Sequence, residues 1–192
     1  DNDKVLASHE QCLNDKRSQA ANFRIIEEES NMIEAHRIIQ PTGKRYVVVN
    51  PSYPPLTTPE LDAIYDLPYT RLPHPRYNGK RIPAYEMIHH SVTIHRGCYG
   101  GCSFCTISAH QGKQIVSRSR ESILRELRQI TQMEDFKGYV SDLGGPSANM
   151  YGTGGRDKNK CLHCKRPTCL TPKVCPNLNT DLTALTQLYK DA

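Results

Sequence analysis

The sequence predicts an α/β fold, and three observations lead to that expectation. A strand-like segment at 88–94, a loop, a helical segment at 121–131 and a second strand at 138–143 follow one another, the βαβ order of a parallel sheet. At 192 residues the chain can bury a core, but thirteen prolines, three phenylalanines and no tryptophan imply a modest core with long irregular stretches. Seven of the eight cysteines fall into two tight groups, one directly after the first strand and one near the C-terminal end, while Cys12 stands alone.

Each element has its own signal. Residues 4–39 read as helix: Phe23, Ile26, Ser30 and Ile33 recur at helical spacing, with Glu27, Glu28 and Glu29 turned to water. The run from Gln40 to Gly43 should end that helix, and the β-branched segment Arg45–Val49 reads as a strand. In the proline-rich stretch that follows, Thr57, Pro59 and Glu60 form a helix start, with Thr as cap, Pro in the first turn and Glu reaching back. This short helix should stop before Pro68, and 68–83 reads as an extended connector. Ile88, Val92 and Ile94 mark the next strand. Ile123, Leu124, Leu127 and Ile130 mark one face of the helix after the cysteine loop. The strand at 138–143 closes on Gly144, Gly145 and Pro146. A glycine-rich turn at 152–156 lacks the lysine of a phosphate loop and reads as a linker. A closing helix is expected at 181–189. The expected regions are 1–83, 84–152 and 153–192.

Composition narrows the function classes. The net charge of +5 is spread over Lys44–Arg45, Lys80–Arg81 and the segment 118–128, which reads as solvated faces rather than a nucleic-acid surface. No window is apolar enough to cross a membrane. The start, from Asp1 and Asn2 to Lys4, carries neither a signal sequence nor a methionine, so the chain reads as a piece of a longer, cytoplasmic protein. In that compartment grouped cysteines serve metals rather than disulfides.

Cys98, Cys102 and Cys105 stand in C-x3-C-x2-C spacing, in a loop where Gly97, Gly100 and Gly101 allow tight folding. Three thiolates suit a four-iron cluster with one iron left open to bind a ligand. A zinc site completed by His95 or His110 is the alternative at this point. Cys161, Cys164, Cys169 and Cys175 give C-x2-C-x4-C-x5-C, a closed four-ligand pattern that suits either an auxiliary iron–sulfur cluster or structural zinc. Lys160, Lys165, Arg166 and Lys173 would offset the charge of bound thiolates, and His163 is a loop histidine that could replace one of them. His89, His90 and His95 flank the first loop, as cluster-tuning groups or as hydrogen-bonded strand residues. Arg118 either reaches a bound ligand or lies exposed at a helix start.

With Phe104 just before its third cysteine, the loop resembles the C-x3-C-x-φ-C signature of radical S-adenosylmethionine (SAM) enzymes. The wider run from His95 through Gly112, the segment from Ser117 to Leu124, and Tyr46–Pro51 are similar to the YgiQ-type family of radical SAM proteins. So are Leu56–Thr58, Gly138–Tyr139 and Gly144–Pro146. The resemblance implies the beginning of a partial (β/α)6 barrel, preceded by a helical, proline-rich segment and followed by a cysteine-rich tail. It implies a [4Fe–4S] cluster on Cys98, Cys102 and Cys105 that cleaves SAM to a 5′-deoxyadenosyl radical, which abstracts hydrogen from a substrate. Phe104 would meet the adenine. Gly144, Gly145 and Pro146 stand where the superfamily binds the methionine amino group, with proline replacing the usual acid. A flavodoxin or ferredoxin would supply the electron. Six barrel units need roughly 190 residues, and only 87 follow Cys105 (192 − 105), so the isolated chain is expected to be incomplete for turnover. The rival from another class is a zinc-stabilised structural or nucleic-acid-binding module.

Overall fold

The computed structural model describes residues 3–192; Asp1 and Asn2, where the reading of the chain's start begins, lie outside them. In chain order the elements are β1 (Lys4–Val5), α1 (His9–Asn14), α2 (Lys16–Ser30), β2 (Ile38–Thr42), β3 (Arg45–Val49), α3 (Thr58–Tyr65) and α4 (Pro83–Ile88). Then come β4 (Ser91–Thr93), β5 (His95–Arg96), α5 (Ile107–Gln111), β6 (Val116–Ser117), α6 (Arg120–Thr131) and β7 (Asp142–Gly144). The chain closes with β8 (Gly154–Gly155), β9 (Leu178–Asn179) and α7 (Thr183–Asp191). The result is a mixed α/β protein divided into two compact units. One combines residues 3–55, Tyr99–Gln114 and Gly154–Asn179; the other combines Leu56–Cys98, Ile115–Thr153 and Thr180–Ala192. The backbone passes from one unit to the other five times, once at the Cys98–Tyr99 bond.

In the first unit β2 pairs parallel with β1 and antiparallel with β3, joined by a two-residue turn. The single helix expected over 4–39 is a correction: the segment is strand, two helices and strand. Ser8 caps α1 through a reciprocal capping box with Gln11, and Asp15 ends α1 and caps α2 by accepting from the N–H groups of Arg17 and Ser18. The buried face of α2 also differs from the apolar reading. Phe23 and Ile26 are exposed, whereas Asn22 and Glu29 are buried. Asn22 bonds both the N–H and the C=O of Ala7, each at 2.9 Å, and Glu29 receives the His36 N–H at 2.8 Å. Buried polar groups that are satisfied in this way cost little, and they fix the register of α2 against β1 and the segment before β2.

The second unit holds the expected βαβ arrangement. β4 and β7 pair parallel, with Val92 opposite Leu143, and α6 lies between them in sequence. Val92 and Ile94 pack with Ile123, Leu127 and Ile130 of α6, Tyr151, and Leu185 and Leu188 of α7. Burying each such aliphatic side chain contributes about 1.5–3 kcal/mol. The helices foreseen at 57–67, 121–131 and 181–189 are α3, α6 and α7. Thr57 forms the anticipated capping box with Glu60. Both strands were drawn too long: Ile88 ends α4 and is exposed, and Gly138 to Ser141 precede β7 rather than belonging to it. Pro83 at the first turn of α4 favours helix there, so Ile88 ends a helix rather than opening the strand. Among the described residues the sheets have two or three strands, and none closes into a barrel.

Candidate metal centres

β4 and β7 end together, with Thr93 opposite Gly144, and the Ile94 N–H extends the pairing to the Gly144 carbonyl at 2.9 Å. The segments leaving these two ends carry Cys98 and Gly144–Gly145–Pro146. The C-terminal ends of parallel strands are where open α/β sheets place their ligands. Cys98 is buried, with its sulfur 3.5 Å from the Ser147 hydroxyl, the residue directly after Pro146. Gly145 donates its N–H to the Asn149 side chain at 2.9 Å, so the turn is held from within.

His95 forms the floor under this turn. It is fully buried, and its Nε2 accepts the Met150 N–H at 2.9 Å. The same nitrogen lies 3.2 Å from the Ala148 carbonyl, so Nε2 is engaged by the backbone of the 148–150 segment. Burial pushes the His95 pKa down, favouring the neutral ring. A β-carbon at Gly145 would stand 1.9 Å from His95 Nε2, so only glycine lets the turn lie on the imidazole. His95 is thus a hydrogen-bonded anchor of the second unit.

Arg118 fits neither sequence reading: it is 1% exposed. Its guanidinium donates to the Thr93 carbonyl at 2.9 Å, bonds Ser122, pairs with Glu126 and lies over the Tyr65 ring with 4.0 Å to the centroid. Burial pushes its pKa down to about 10, still cationic at neutral pH. Glu126 also pairs with Arg71, which donates to the carbonyls of His89 and Ser91. Two guanidiniums sharing one carboxylate therefore clamp both ends of β4, the strand that leads to Cys98.

In the first unit, Cys102 and Cys105 form a turn, the Cys105 N–H donating to the Cys102 carbonyl at 2.9 Å, and Phe104 between them is 89% exposed. This loop is backed by the second cysteine group. The Tyr99 carbonyl accepts from the Cys169 N–H at 3.1 Å and from the Thr168 hydroxyl at 3.2 Å. Gly101, at φ +57°, lies so close to Pro167 and Thr168 that a β-carbon would be 2.5 Å from the Pro167 carbonyl oxygen. All eight cysteines are free thiols. Cys161, Cys164, Cys169 and Cys175 are each partly buried. Burial pushes the Cys161 and Cys169 thiols up, and Lys113 acts in the opposite direction on both. Of the flanking cations, Lys165 pairs with Glu28 at 2.9 Å, and Arg166 wraps the following turn by donating to the carbonyls of Thr171 and Lys173. His163 faces Glu34.

His89 and His90 meet Asp135, at 3.0 and 3.4 Å, and the three ligand atoms lie within 4.8 Å of one another. Asp135 is half exposed, and the His89 Nδ1 contacts the Tyr85 carbonyl, so the group stands as a surface carboxylate bridging two rings. Sequence reasoning missed Asp135, Ser147, Glu126 and Lys113. Only Glu126 carried a local signal, lying eight residues after Arg118 and so near the face of α6 that Arg118 leads into.

Residues 1–91 match the family model described as Radical SAM N-terminal. A UPF0313 protein of Bacteroides thetaiotaomicron is 65% identical over 188 residues, covering 98% of this chain and 30% of the relative. One from Porphyromonas gingivalis is 62% identical over 190 residues, covering 99% of the chain and 30% of the relative. One from Rhodopseudomonas palustris is 47% identical over 186 residues, covering 96% and 28%. The chain thus spans about a third or less of the length of these relatives. No solved structure matches it. Among the described residues no helix is long and apolar enough to cross a membrane. Over nearly all of its residues the chain is thus similar to UPF0313 proteins, and over residues 1–91 to the radical SAM N-terminal family.

Proposed function

We propose that this chain carries the cluster-binding part of a radical SAM enzyme, with Cys98, Cys102 and Cys105 holding a [4Fe–4S] cluster that leaves one iron open for SAM. The observation that carries this reading is the burial of Cys98 against Ser147, at the shared C-terminal end of β4 and β7. A thiolate ligand and the turn that would receive the methionine end of SAM are thereby neighbours in one unit. Free thiols in a short glycine-bearing loop have the donor chemistry the group requires.

When bound, the cluster and SAM would supply the hard chemistry, one-electron cleavage of SAM to a radical able to abstract hydrogen. The residues of the chain bind and orient. Gly144 and Gly145 offer backbone groups to the methionine amino group, since Pro146 replaces the acid found elsewhere in the superfamily. The exposed Phe104 leaves its backbone open to the adenine. His95, neutral and fully buried, supports the turn without adding a charge beside the site. β4 and α6 would make the first βα unit of the partial (β/α)6 barrel and β7 would open the second, and a flavodoxin or ferredoxin would be the electron donor. The hydrogen donor and the product belong to the protein as a whole.

The test is anaerobic reconstitution with iron and sulfide, then EPR of the reduced protein with and without SAM, comparing wild type with Cys98→Ala. A [4Fe–4S]⁺ signal that shifts on SAM addition, and whose SAM response vanishes in the variant, is the expected result. Uptake of zinc alone, or a cluster signal indifferent to both SAM and Cys98, would overturn the reading.

A further inference from the structure

Lys113 is 5% exposed, and its ammonium is surrounded by the second cysteine group. It donates to the carbonyls of Arg166 at 2.6 Å and Cys164 at 3.4 Å, and lies 3.6 Å from the Cys164 sulfur. Among the described residues no carboxylate pairs with it. A buried cation without a counter-charge costs several kcal/mol, and carbonyl dipoles offset only part of that. The nearest groups able to become negative are thiols. Lys113 also acts on Cys161 and Cys169, and Cys169 in turn lies within electrostatic reach of Cys161, Cys164 and Cys175.

The surroundings of the sulfurs are also those of a built site. Gly155 packs against Cys161 where a β-carbon would come within 2.6 Å of the sulfur. The Asn177 amide donates to the same sulfur at 3.5 Å. The Cys164 N–H bonds the Cys161 carbonyl, closing a tight turn, and the Cys175 N–H bonds the Cys169 carbonyl at 2.8 Å, closing a loop over 169–175. A cubane held by four thiolates carries net negative charge.

We propose that Cys161, Cys164, Cys169 and Cys175 bind a second [4Fe–4S] cluster, ligated at all four irons, whose charge Lys113 neutralises. Closed coordination gives this cluster no position for SAM. Through the Tyr99 carbonyl, held by Cys169 and Thr168, and the contact of Gly101 with Pro167, it braces the loop that bears Cys102 and Cys105. The inference does not depend on the three-cysteine cluster.

The experiment is anaerobic reconstitution with iron, sulfide and equimolar zinc, followed by metal and sulfide analysis and EPR. Wild type should hold about eight irons, and a Cys98→Ala/Cys102→Ala/Cys105→Ala variant about four, with a signal that ignores SAM. In that variant Lys113→Met should lower iron occupancy several-fold, and Lys113→Arg should restore it. If the triple variant fails to fold, Cys161→Ala/Cys169→Ala in the otherwise native chain should halve the iron while keeping the SAM-sensitive signal. One zinc, or no metal, in the folded triple variant overturns the proposal, as does unchanged iron in the double variant. A SAM-indifferent wild type with four irons remaining in the triple variant would sink the three-cysteine reading and support this one.

Discussion

Gly145→Ala probes the contact on which the candidate SAM turn rests. The added methyl would meet His95 at 1.9 Å from Nε2, 2.3 Å from Cε1 and 2.7 Å from Cδ2. Contacts that short cannot persist, so the turn or the imidazole must move. His95 is fully buried against Ala148 and Met150, and moving it breaks the 2.9 Å bond from the Met150 N–H. Overpacking costs about 1–3 kcal/mol, and an orphaned buried N–H costs about 1–3 kcal/mol more. The expected destabilisation is therefore about 2–5 kcal/mol, read by denaturant unfolding of the anaerobic protein. A double-mutant cycle isolates the contact. His95→Ala removes the ring that the methyl strikes, so Gly145→Ala should cost about 1 kcal/mol or less in that background. Equal cost in both backgrounds would refute the steric argument, and a change under about 0.5 kcal/mol in the native background would show that the turn yields freely.

Glu126→Gln leaves the Arg118 guanidinium, 1% exposed, without its carboxylate and deprives Arg71 of the same partner. Breaking a buried pair of this kind should cost about 3–5 kcal/mol in unfolding free energy, whereas a loss below about 1 kcal/mol would mean that solvent or the Tyr65 ring suffices for Arg118. A pH titration reads His95. Its folded-state pKa lies below the unfolded value, so the unfolded state binds the extra proton and His95 contributes stability that is present above the unfolded pKa. That stability should fall away as pH drops from about 6.5 toward the folded pKa. The acid slope of the unfolding midpoint should flatten in His95→Gln, and an unchanged slope would assign it to other groups.

Much of the second unit was legible because its elements announce themselves locally. Ser119 and Thr57 cap helices, and Ile123, Leu127 and Ile130 repeat at helical spacing beside two short apolar strands. The region before it was less legible because two polar devices replace the apolar stripe. Ser8 and Asp15 cut one apparent helix into two, and Asn22 and Glu29 take the buried positions that periodicity assigns to Phe23 and Ile26. A hydropathy pattern cannot register a buried amide satisfied by a backbone fifteen residues away. The candidate ligands were legible because cysteine spacing is local, while Ser147 and Lys113 were not, since each meets its cysteine across about fifty residues of chain.

Charge shows the same division between what is local and what folding decides. By sequence, Arg118 and Lys113 are two of twenty-five cations in a chain with a mild positive excess. Folding buries both, and a buried cation must have its counter-charge within a few ångströms. For Arg118 that group is in the chain: Glu126, two helical turns along, closes the account and fixes the end of β4. Lys113 is held instead by the carbonyls of Cys164 and Arg166 and lies against the Cys164 sulfur, with no carboxylate paired to it among the described residues, so its balance rests on groups that local sequence does not reveal.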